Sequence, residues 1–430
     1  MTSPQIAVAA QSGPQGFDRQ TRPGALIIGG AHVSVAIARS LGRHGIPVWM
    51  LANHPIATYS RYVERSLPWP GADHPDGIAS ITDLARQHGL DGWVLIATGD
   101  PDMCMVAKNH AQLSRYFRIA TPDWDTIRWA YDKRLTYSRA ALLQLDFPTS
   151  FEPHGLDDVA QLDCRFPVIL KPSVRKGMDE FTLAKAWKAE TREELLALYT
   201  RASALVGSDA IIVQEWIPGG GESQFSYAAL CEMGEPVVSL VARRSRQHPI
   251  DFGRSSTFVE TIEQPQVEEL SRRFLKSLAY TGVVEIEFKH DRRDGRFKLL
   301  DVNGRFWTWN GIGPLAGIDF PYLAWQQALG KTIEPGRGRP GVAWMHASRD
   351  FIAACQEMAR GGLTFGQYLK SFRKPLAFAN FAFDDPMPAI VELPVAGWNR
   401  FVRGRFGKFH IALAKKIARR LGAARSRIAG

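Results

Sequence analysis

The chain has 430 residues, which corresponds to about three domains at roughly 150 residues each, and 45% of its residues are hydrophobic while 22% are charged. This composition excludes a wholly disordered chain and a single small binding module. The net charge of +10 lies entirely after Glu392, where ten Lys and Arg occur and no Asp or Glu, so residues 1–392 carry 43 basic and 43 acidic side chains. A charge-balanced body predicts no nucleic-acid partner.

The cysteines and the apolar segments indicate the compartment. Four cysteines lie far apart in the sequence, without a C-x-x-C pair or a local histidine cluster at zinc spacing. We therefore expect a reducing environment rather than disulfides or structural zinc. The first residues lack a basic segment followed by a long apolar one, and no window reaches about 18 uninterrupted apolar residues. These features predict a cytoplasmic protein without an export signal or a membrane span.

The first third of the chain has the pattern of a parallel α/β domain. Residues 1–23 are rich in Gln, Ser, Gly and Pro and predict a flexible leader. The elements that follow are predicted as strand 25–28, helix 33–41, strand 47–51, strand 92–96 and a helix that starts near Asp100. We predict a Rossmann-like domain over residues 24–130. Its Gly29-Gly30 turn lacks the complete G-x-G-x-x-G of a dinucleotide-binding loop, which favours a tight turn over a phosphate site.

From Tyr131 onward the pattern is α+β with several antiparallel strand pairs. The predicted elements are helix 132–145, strands 167–171 and 210–214 with helix 193–204 between them, strands 226–231 and 236–242, helix 267–279, and strands 283–289 and 297–302. We assign residues 131–334 to one domain and 335–394 to a smaller mixed region. Residues 395–430 form a basic tail.

Two lysines stand where regular elements could direct them at a ligand. Lys133 opens a helix, and Lys171 ends the hydrophobic strand of the sequence VILKPS. A lysine is a compact cation that binds phosphate oxygens. An isolated lysine is ordinarily a solvated surface charge, but Lys171 emerges from a core strand. The pair is therefore a candidate phosphate site.

A second candidate segment runs from Gln214 through Glu215 and Trp216 to Ile217, before a glycine-rich turn that ends at Glu222. The backbone of a strand that leaves the core can pair with the edge of an adenine, while Trp216 and Ile217 can pack on its face. Glu222 can accept hydrogen bonds from ribose hydroxyls. A β-turn with a solvent-exposed acid explains the same residues equally well.

The strongest signal is the strand pair VVEIEFKHD and KLLDVNGRF. Alternation along an antiparallel hairpin lets Glu287 face Asp301, with Asn303 on the same side. Two carboxylates and an amide oxygen are hard ligands that suit Mg²⁺. Arg305 continues the pattern and could stabilise a transferring phosphoryl group. Burying these acids without a cation would be costly, so a merely solvated face explains them poorly.

In this order the motifs resemble the ATP-grasp superfamily, and within it the carboxylate–amine ligases and carbamoyl-phosphate-synthase-like proteins related to D-aspartate ligase. The resemblance covers roughly residues 25–330 and rests on Asp132-Lys133, VILKPS, VQEWIPGG at 213–220, IEFK at 286–289 and LLDVNGR ending at Arg305. It implies a Rossmann-like pre-ATP-grasp domain followed by two α+β subdomains that clasp ATP.

The resemblance also implies roles for these residues. Lys133 and Lys171 would bind ATP phosphates, Gln214, Glu215, Trp216 and Ile217 the adenine, Glu222 the ribose, Glu287, Asp301 and Asn303 one or two Mg²⁺, and Arg305 the transferred phosphate. Such enzymes phosphorylate a carboxylate with ATP and let an amine displace the phosphate.

Two segments leave alternatives open. Many relatives have a glycine-rich lid loop after the second lysine, whereas this chain has SVRKGMDEF at 173–181. Arg175 and Lys176 could replace backbone amides as phosphate contacts, or the lid could close without touching phosphate. Farther on, Arg244 and Arg246 could hold the substrate carboxylate, with an exposed basic loop as an equal alternative. We interpret His248 as a loop histidine.

The tail carries apolar residues at helical spacing, with cationic residues mostly on another face. The apolar residues are Phe406, Phe409, Leu413, Ile417 and Leu421. This predicts either contact with an anionic membrane surface through residues 398–428 or docking on the body. The predicted function is an ATP-dependent ligase for small-molecule or cell-envelope precursor substrates, peripheral to the membrane if the tail binds there, with homodimers common in the superfamily. Other ATP-grasp chemistry, such as carboxylation, and a non-catalytic ATP-binding regulator are the alternatives.

Overall fold

Three β-sheets organise the chain in the computed structural model, which describes residues 23–174, 179–184, 186–250 and 255–397. The first sheet has five parallel strands in the order β3-β2-β1-β4-β5. Its strands are β1 (Ala25–Gly29), β2 (Val48–Ala52), β3 (Arg65–Pro68), β4 (Val94–Ala97) and β5 (Arg118–Ile119). The helices of this part are α1 (His32–Arg43), α2 (Gly77–His88), α3 (Asp100–Lys108), α4 (His110–Leu113) and α5 (Trp124–Tyr131). The parallel α/β arrangement predicted for this part is confirmed.

The short apolar runs explain why this sheet is parallel and central. Every residue of β1 and of β4 is buried, as expected for strands covered on both faces. The chain leaves β1 toward β3 and returns to β4 on the other side, so the strand order reverses between β1 and β4.

The turn after β1 needs its second glycine. Gly30 has φ +129°, and a Cβ on it would lie 2.1 Å from the carbonyl oxygen of His54. We expect Gly30→Ala to lower the free energy of unfolding by about 2 kcal/mol or more because both the backbone and the contact would be strained. Gly366→Ala is the control, since a Cβ added there would meet no atom within 4 Å, and it should be neutral or slightly stabilising. Urea denaturation of both variants checks this.

The second sheet has four antiparallel strands in the order β6-β9-β7-β8. They are β6 (Ser150–Phe151), β7 (Val168–Pro172), β8 (Trp187–Ala189) and β9 (Ile211–Glu215). The associated helices are α6 (Lys133–Leu142), α7 (Leu156–Gln161), α8 (Glu180–Ala184) and α9 (Arg192–Val206). This sheet has its own small core, in which Leu170, Leu195 and Val213 are fully buried.

The third sheet has eight strands, seven of them in the order β14-β13-β10-β11-β12-β16-β17, while β15 pairs with β11. The strands are β10 (Gln224–Glu232), β11 (Glu235–His248), β12 (Ser255–Ile262), β13 (Gly282–Asp291), β14 (Arg296–Asn303), β15 (Gly336–Arg337), β16 (Ala343–Met345) and β17 (Leu376–Phe378). The remaining helices are α10 (Pro265–Lys276), α11 (Gly313–Ala316), α12 (Phe320–Ala328), α13 (Ala347–Ala359), α14 (Phe365–Lys370) and α15 (Met387–Gly397).

One stretch of this sheet differs from the sequence prediction. The predicted strand ends at Ala242, but β11 continues to His248 and pairs with β12. The residues after Ala242 lack the apolar alternation that marks a strand. Ladder hydrogen bonds come from the backbone, however, so cationic side chains do not prevent pairing. The alternative of a basic loop over 243–248 is therefore wrong.

The packing of the three sheets determines where a cleft forms. The parallel sheet and the eight-stranded sheet share their cores, as in the contact cluster that contains Ile27, Leu240 and Trp307. The four-stranded sheet packs around its separate core and faces the eight-stranded sheet across a gap. Every helix among the described residues is too short or too polar to cross a lipid bilayer. The predicted leader, apart from Pro23, and the tail beyond Gly397 lie outside the described residues.

Candidate active site

A cleft between the four-stranded and eight-stranded sheets collects most of the residues singled out in the sequence. Strands β7 and β9 form one wall, β13 and β14 form the other, and the first turn of α6 reaches into it. The predicted residues that line the cleft are Lys133, Lys171, Gln214, Glu215, Trp216, Ile217, Arg244, Glu287, Asp301, Asn303 and Arg305. These residues come from separate segments of the chain, so the fold brings distant motifs to one place.

The hairpin of β13 and β14 has the register that alternation predicts. Glu287 lies opposite Asp301, and Glu285 lies opposite Asn303. The amide nitrogen of Asn303 donates to Glu285 Oε2 at 3.0 Å and to Glu287 Oε1 at 3.3 Å. Glu285 is absent from the residues predicted from the sequence, although its position two residues before Glu287 places it on the same face. Glu285 therefore joins Glu287 and Asp301, and we call these three carboxylates the acidic group.

Cations balance these acids inside the cleft. Lys133 forms an ion pair with Asp301, and Arg244 Nη2 lies 3.4 Å from Glu287 Oε2. The indole nitrogen of Trp309 donates to Glu285 Oε1 at 2.9 Å. Burial, followed by the charge of Glu287, raises the pKa of Glu285 to about 7. The acidic group is therefore held by partners on both sides.

Arg305 connects this group to the parallel sheet. Its guanidinium pairs with Asp100, the first residue of α3, and its Nη2 donates to Asn303 Oδ1 at 3.4 Å. Burial acts to lower the pKa of Arg305, but the charge of Asp100 and its hydrogen bond raise the pKa above the usual value. The arginine stays charged at the junction of two sheets. Asp100, which no motif marks, is the residue that positions it.

The residues fit a divalent cation by ligand type. Glu287, Asp301 and Asn303 supply hard oxygen atoms to one side of the cleft. These three side chains are two carboxylates and one amide. Within the ranges that the structure describes, no three His, Cys, Asp or Glu side chains converge as a metal-binding group. Binding of a metal at Asp301 would require Lys133 to release that carboxylate.

The opposite wall is built around Gln214. Its amide is buried, with 1% of the residue exposed, and its oxygen accepts from Lys171 Nζ at 2.8 Å. Its nitrogen donates to Tyr137 Oη at 3.0 Å and to Ser150 Oγ at 2.9 Å. Gln214 therefore fixes the position of the Lys171 ammonium.

The aromatic part of the cleft has two lysines beside it. Lys188 Nζ and Lys289 Nζ lie 5.0 and 4.9 Å from the centroid of Trp216. Lys289 donates to the carbonyl of Gly219 at 2.7 Å, and burial lowers its pKa to about 8. Glu215 is held by two hydrogen bonds, which it accepts from Lys298 Nζ at 2.9 Å and from Thr149 N at 3.1 Å.

One predicted residue, Glu222, does not reach the cleft. Glu222 is not among its lining residues and accepts from Gly220 N at 3.2 Å and from Arg292 Nη2 at 3.5 Å. These partners and the exposed position give no support to a ribose contact. Arg175 and Lys176 lie outside the described residues.

Arg246 is also held away from the cleft. It forms a two-pronged ion pair with Asp350, with distances of 2.9 and 2.8 Å, and donates to Ser371 Oγ at 2.9 Å. Its guanidinium also lies 4.1 Å from the centroid of Phe258. Arg244 faces the cleft while Arg246 anchors α13 to β11, so the prediction that Arg246 holds substrate is not supported.

We expect Asp350→Ala to lower the free energy of unfolding by about 3–5 kcal/mol, because it leaves a buried guanidinium without its counter-charge. Asp350 is fully buried and Arg246 is 8% exposed. Asp83→Ala, which removes an exposed partner of Arg86, should change the free energy of unfolding by about 1 kcal/mol or less. Chemical denaturation checks both values, and equal effects of the two variants would contradict the structural role of the pair.

Comparison with known proteins places this fold. No protein-family model matches the chain. It is 26% identical over 264 residues to the D-aspartate ligase of Enterococcus faecium, a segment that covers 56% of this chain and 62% of that protein. The chain thus spans less than two thirds of the length of this curated relative.

Several solved structures have the same fold. The biotin carboxylase domain of the Hydrogenobacter thermophilus 2-oxoglutarate carboxylase, in complex with MgADP and bicarbonate, matches with a TM-score of 0.60 at 14% identity and covers 74% of this chain and 73% of that one. The L-amino acid ligase of Bacillus licheniformis matches with a TM-score of 0.55 at 18% identity, covering 75% and 79%. The N5-carboxyaminoimidazole synthetase of Staphylococcus aureus matches with a TM-score of 0.56 at 12% identity and covers 73% of this chain and 79% of that one. These are ATP-grasp structures, so the resemblance seen in the sequence and the ATP-grasp fold are confirmed.

Proposed function

Starting from the ATP-grasp fold of this chain, we propose that it is an ATP-dependent carboxylate–amine ligase that works through an acyl phosphate. The observation that carries the proposal is the meeting of two lysines, an acidic group and Arg305 in one cleft between the four-stranded and eight-stranded sheets. The similarity to D-aspartate ligase and to an L-amino acid ligase supports ligation in particular.

ATP binds in this cleft. Its adenine packs along Gln214–Ile217, next to Trp216, and its phosphates lie against Lys171 and Lys133. The ion pair between Lys133 and Asp301 supports this role. When ATP binds, a phosphate can replace Asp301 as the partner of Lys133, and Asp301 can then bind a cation. Arg175 and Lys176 remain additional proposed phosphate contacts, whereas the partners of Glu222 do not support including it.

Glu287, Asp301 and Asn303 would hold Mg²⁺, which would neutralise charge on the phosphates. The hard oxygen atoms that these side chains bring to one side of the cleft support this assignment. Arg244 and Arg305 flank the group and keep positive charge on the reacting side.

The reaction proceeds in two displacements. A carboxylate oxygen attacks the terminal phosphorus of ATP, the bond to the bridging oxygen breaks, and ADP leaves with its electron pair. The amine nitrogen then attacks the acyl carbon, phosphate departs with the carbon–oxygen bonding pair, and this phosphate takes up the proton that the nitrogen loses as the amide forms. Arg305 stabilises the negative charge on the transferred group throughout.

An ADP-release assay tests the function. The purified chain is incubated with Mg²⁺ and ATP and a matrix of acids and amines that begins with D-aspartate and includes L-aspartate and bicarbonate. Release that requires both a carboxylic acid and an amine is expected. Release with bicarbonate alone, or no release above background with any pair, would contradict the ligase proposal.

We further propose that the tail brings the ligase to an anionic membrane surface, where cell-envelope or glycan precursors are its substrates. Helix α15 leads directly into the tail and exposes Ile390 by 59% and Leu393 by 67%. Exposed apolar side chains beside a segment with ten cations and no acids suit an anionic interface.

The tail gives a separate prediction. The full chain should co-sediment with vesicles that contain phosphatidylglycerol, and a variant ending at Gly397 should lose most of this binding because the cations are gone. Neutral phosphatidylcholine vesicles are the control for charge. Equal binding of both proteins to the anionic vesicles would contradict the role of the tail and leave the ligase proposal untouched.

A further inference from the structure

Four histidines and one arginine lie in neighbouring elements at the end of the parallel sheet, outside the residues assigned above. They are His32 at the start of α1, His54 after β2, His248 at the end of β11 and His346 after β16, with Arg349 on α13. We call this group the histidine cluster. The ring centroids of His32 and His346 are 5.0 Å apart in a T-shaped arrangement.

The positive charge of Arg349 acts on all four histidines. Burial lowers the pKa of every one of these histidines, and the charge of Arg349 lowers it further in each case. In His32, the neighbouring His346 contributes more to the lowered pKa than Arg349 does. Four imidazoles held neutral around one positive charge form a set of hydrogen-bonding groups suited to an anion.

Two of these imidazoles have unmet hydrogen-bonding capacity. His32 Nε2 and His248 Nδ1 are buried and have no hydrogen-bond partner among the described residues. Native proteins rarely leave a buried polar nitrogen unpaired unless a ligand or water completes it. The other two histidines have partners, since His346 Nε2 lies 3.5 Å from Glu392 and His54 Nδ1 accepts from Ile56 N at 3.4 Å.

The topology places the cluster at a ligand-binding edge. Strand order reverses between β1 and β4, and α/β sheets bind ligands outside the carboxyl ends of the strands at such a reversal. His32 follows β1, while Asp100, which holds Arg305, follows the adjacent strand β4. Arg349 Nη1 also donates to Ser255 Oγ at 3.5 Å, and Ser255 lines the nucleotide cleft. The cluster therefore adjoins the end of the cleft where Arg305 lies.

The chemistry of the group favours an anion over a cation. A guanidinium among the imidazoles repels a metal ion, and within the described part of the chain no three metal-ligating side chains converge. Among the described residues, Glu392 is an acid that faces the cluster, and it is engaged by Ser348 Oγ at 2.7 Å as well as by His346. Arg349 and the N–H groups of His32 and His248 are donors of the kind from which an oxyanion accepts.

We propose that the histidine cluster binds an oxyanion group, a carboxylate or a phosphate, on the substrate that is not ATP. This rests on the proposed ligase function, which requires a second substrate beside Arg305. The oxyanion is the non-reacting group of that substrate, and its capture aligns the reacting end with the cleft.

Isothermal titration calorimetry of the full chain tests the site without turnover. A saturating non-hydrolysable ATP analogue fills the nucleotide cleft, so that added anions cannot bind to Lys133 or Lys171. Succinate and inorganic phosphate are the two probes, which distinguish the carboxylate from the phosphate source, and uncharged succinamide is the control ligand. We expect saturable binding of one of the two anions and none of succinamide.

Variants then locate the site. Arg349→Gln and His32→Asn should each weaken anion binding about tenfold or more, because each removes a donor to a charged group. The exposed loop variant His74→Asn should bind like the wild type. Arg349 is exposed, so its variant tests the site even if His32→Asn folds poorly.

The anion site and the ligase function can fail independently in these experiments. Absence of saturable binding by the wild type, or unchanged binding by Arg349→Gln, would overturn the site even if ADP release with acid and amine is normal. Conversely, a chain that binds the anion at the cluster but releases no ADP with any pair would contradict the ligase function alone.

Discussion

Asp301→Asn should lower the rate constant of ADP release by about 10²- to 10³-fold, the loss expected when one charged stabilising group is removed from a preorganised site. Asp301 stands opposite Glu287 in the hairpin register and pairs with Lys133, one of the two proposed phosphate ligands. The substitution keeps the size of the side chain but removes the charge that would bind Mg²⁺. It therefore weakens both the metal site and the positioning of the lysine.

The measurement is steady-state ADP release with saturating substrates, at several Mg²⁺ concentrations. Asp157→Asn is the matched control, since Asp157 lies exposed at the start of α7 and should leave the rate unchanged. Thermal denaturation of both variants shows whether the fold is retained. A well-folded Asp301→Asn protein that works at the wild-type rate would contradict the proposed metal site.

Arg305→Lys should lower the same rate constant by about 10²-fold although it keeps the positive charge. The guanidinium contacts Asp100 and Asn303 at the same time, and a lysine ammonium cannot hold both and also present a planar pair of donors to a phosphate. Because the loss concerns the transferring group, the affinity for ATP should change by only about threefold or less.

Separate measurements of ATP affinity and turnover distinguish this outcome from general damage. Arg296→Lys is the control, because Arg296 is the exposed first residue of β14 and pairs with Asp146 outside the cleft. A parallel loss of ATP affinity and of rate would show that Arg305 shapes the nucleotide site. It would then contradict a role confined to the transferred phosphoryl group.

The hairpin shows how much of the site could be predicted from the sequence. Strand alternation has a period of two, so the facing of Glu287 and Asp301 follows once the two strands are identified, and the structure has this register. Lys171 could be predicted because an apolar strand directs it. In such cases a local pattern fixes the direction of the side chain.

Contacts between distant segments could not be predicted in this way. Arg244 and Arg246 look equivalent in the sequence, yet one lines the cleft and the other is paired with Asp350, which lies 104 residues later. No pattern in the sequence indicates that Asp100 pairs with Arg305. The histidine cluster also depends on four separate elements that meet only in the folded chain.

The same limit applies to the fold. Apolar runs predict β1, β2 and β4 and hence the parallel sheet, whereas the end of β11 escapes prediction because its charged residues mask the strand pattern, and β12 because it opens with polar residues beside that basic stretch. Backbone pairing with neighbouring strands determines these segments. Side-chain chemistry alone indicates a loop there.

Transfer of oxygen from the carboxylate to phosphate tests the central claim most directly. The carboxylic acid that supports ADP release, beginning with D-aspartate, is labelled with ¹⁸O in its carboxylates and incubated with ATP, Mg²⁺, an amine and the purified chain. Activation as an acyl phosphate predicts that the phosphate released carries one ¹⁸O atom, detected by mass spectrometry. Amide formation with unlabelled phosphate would contradict the account.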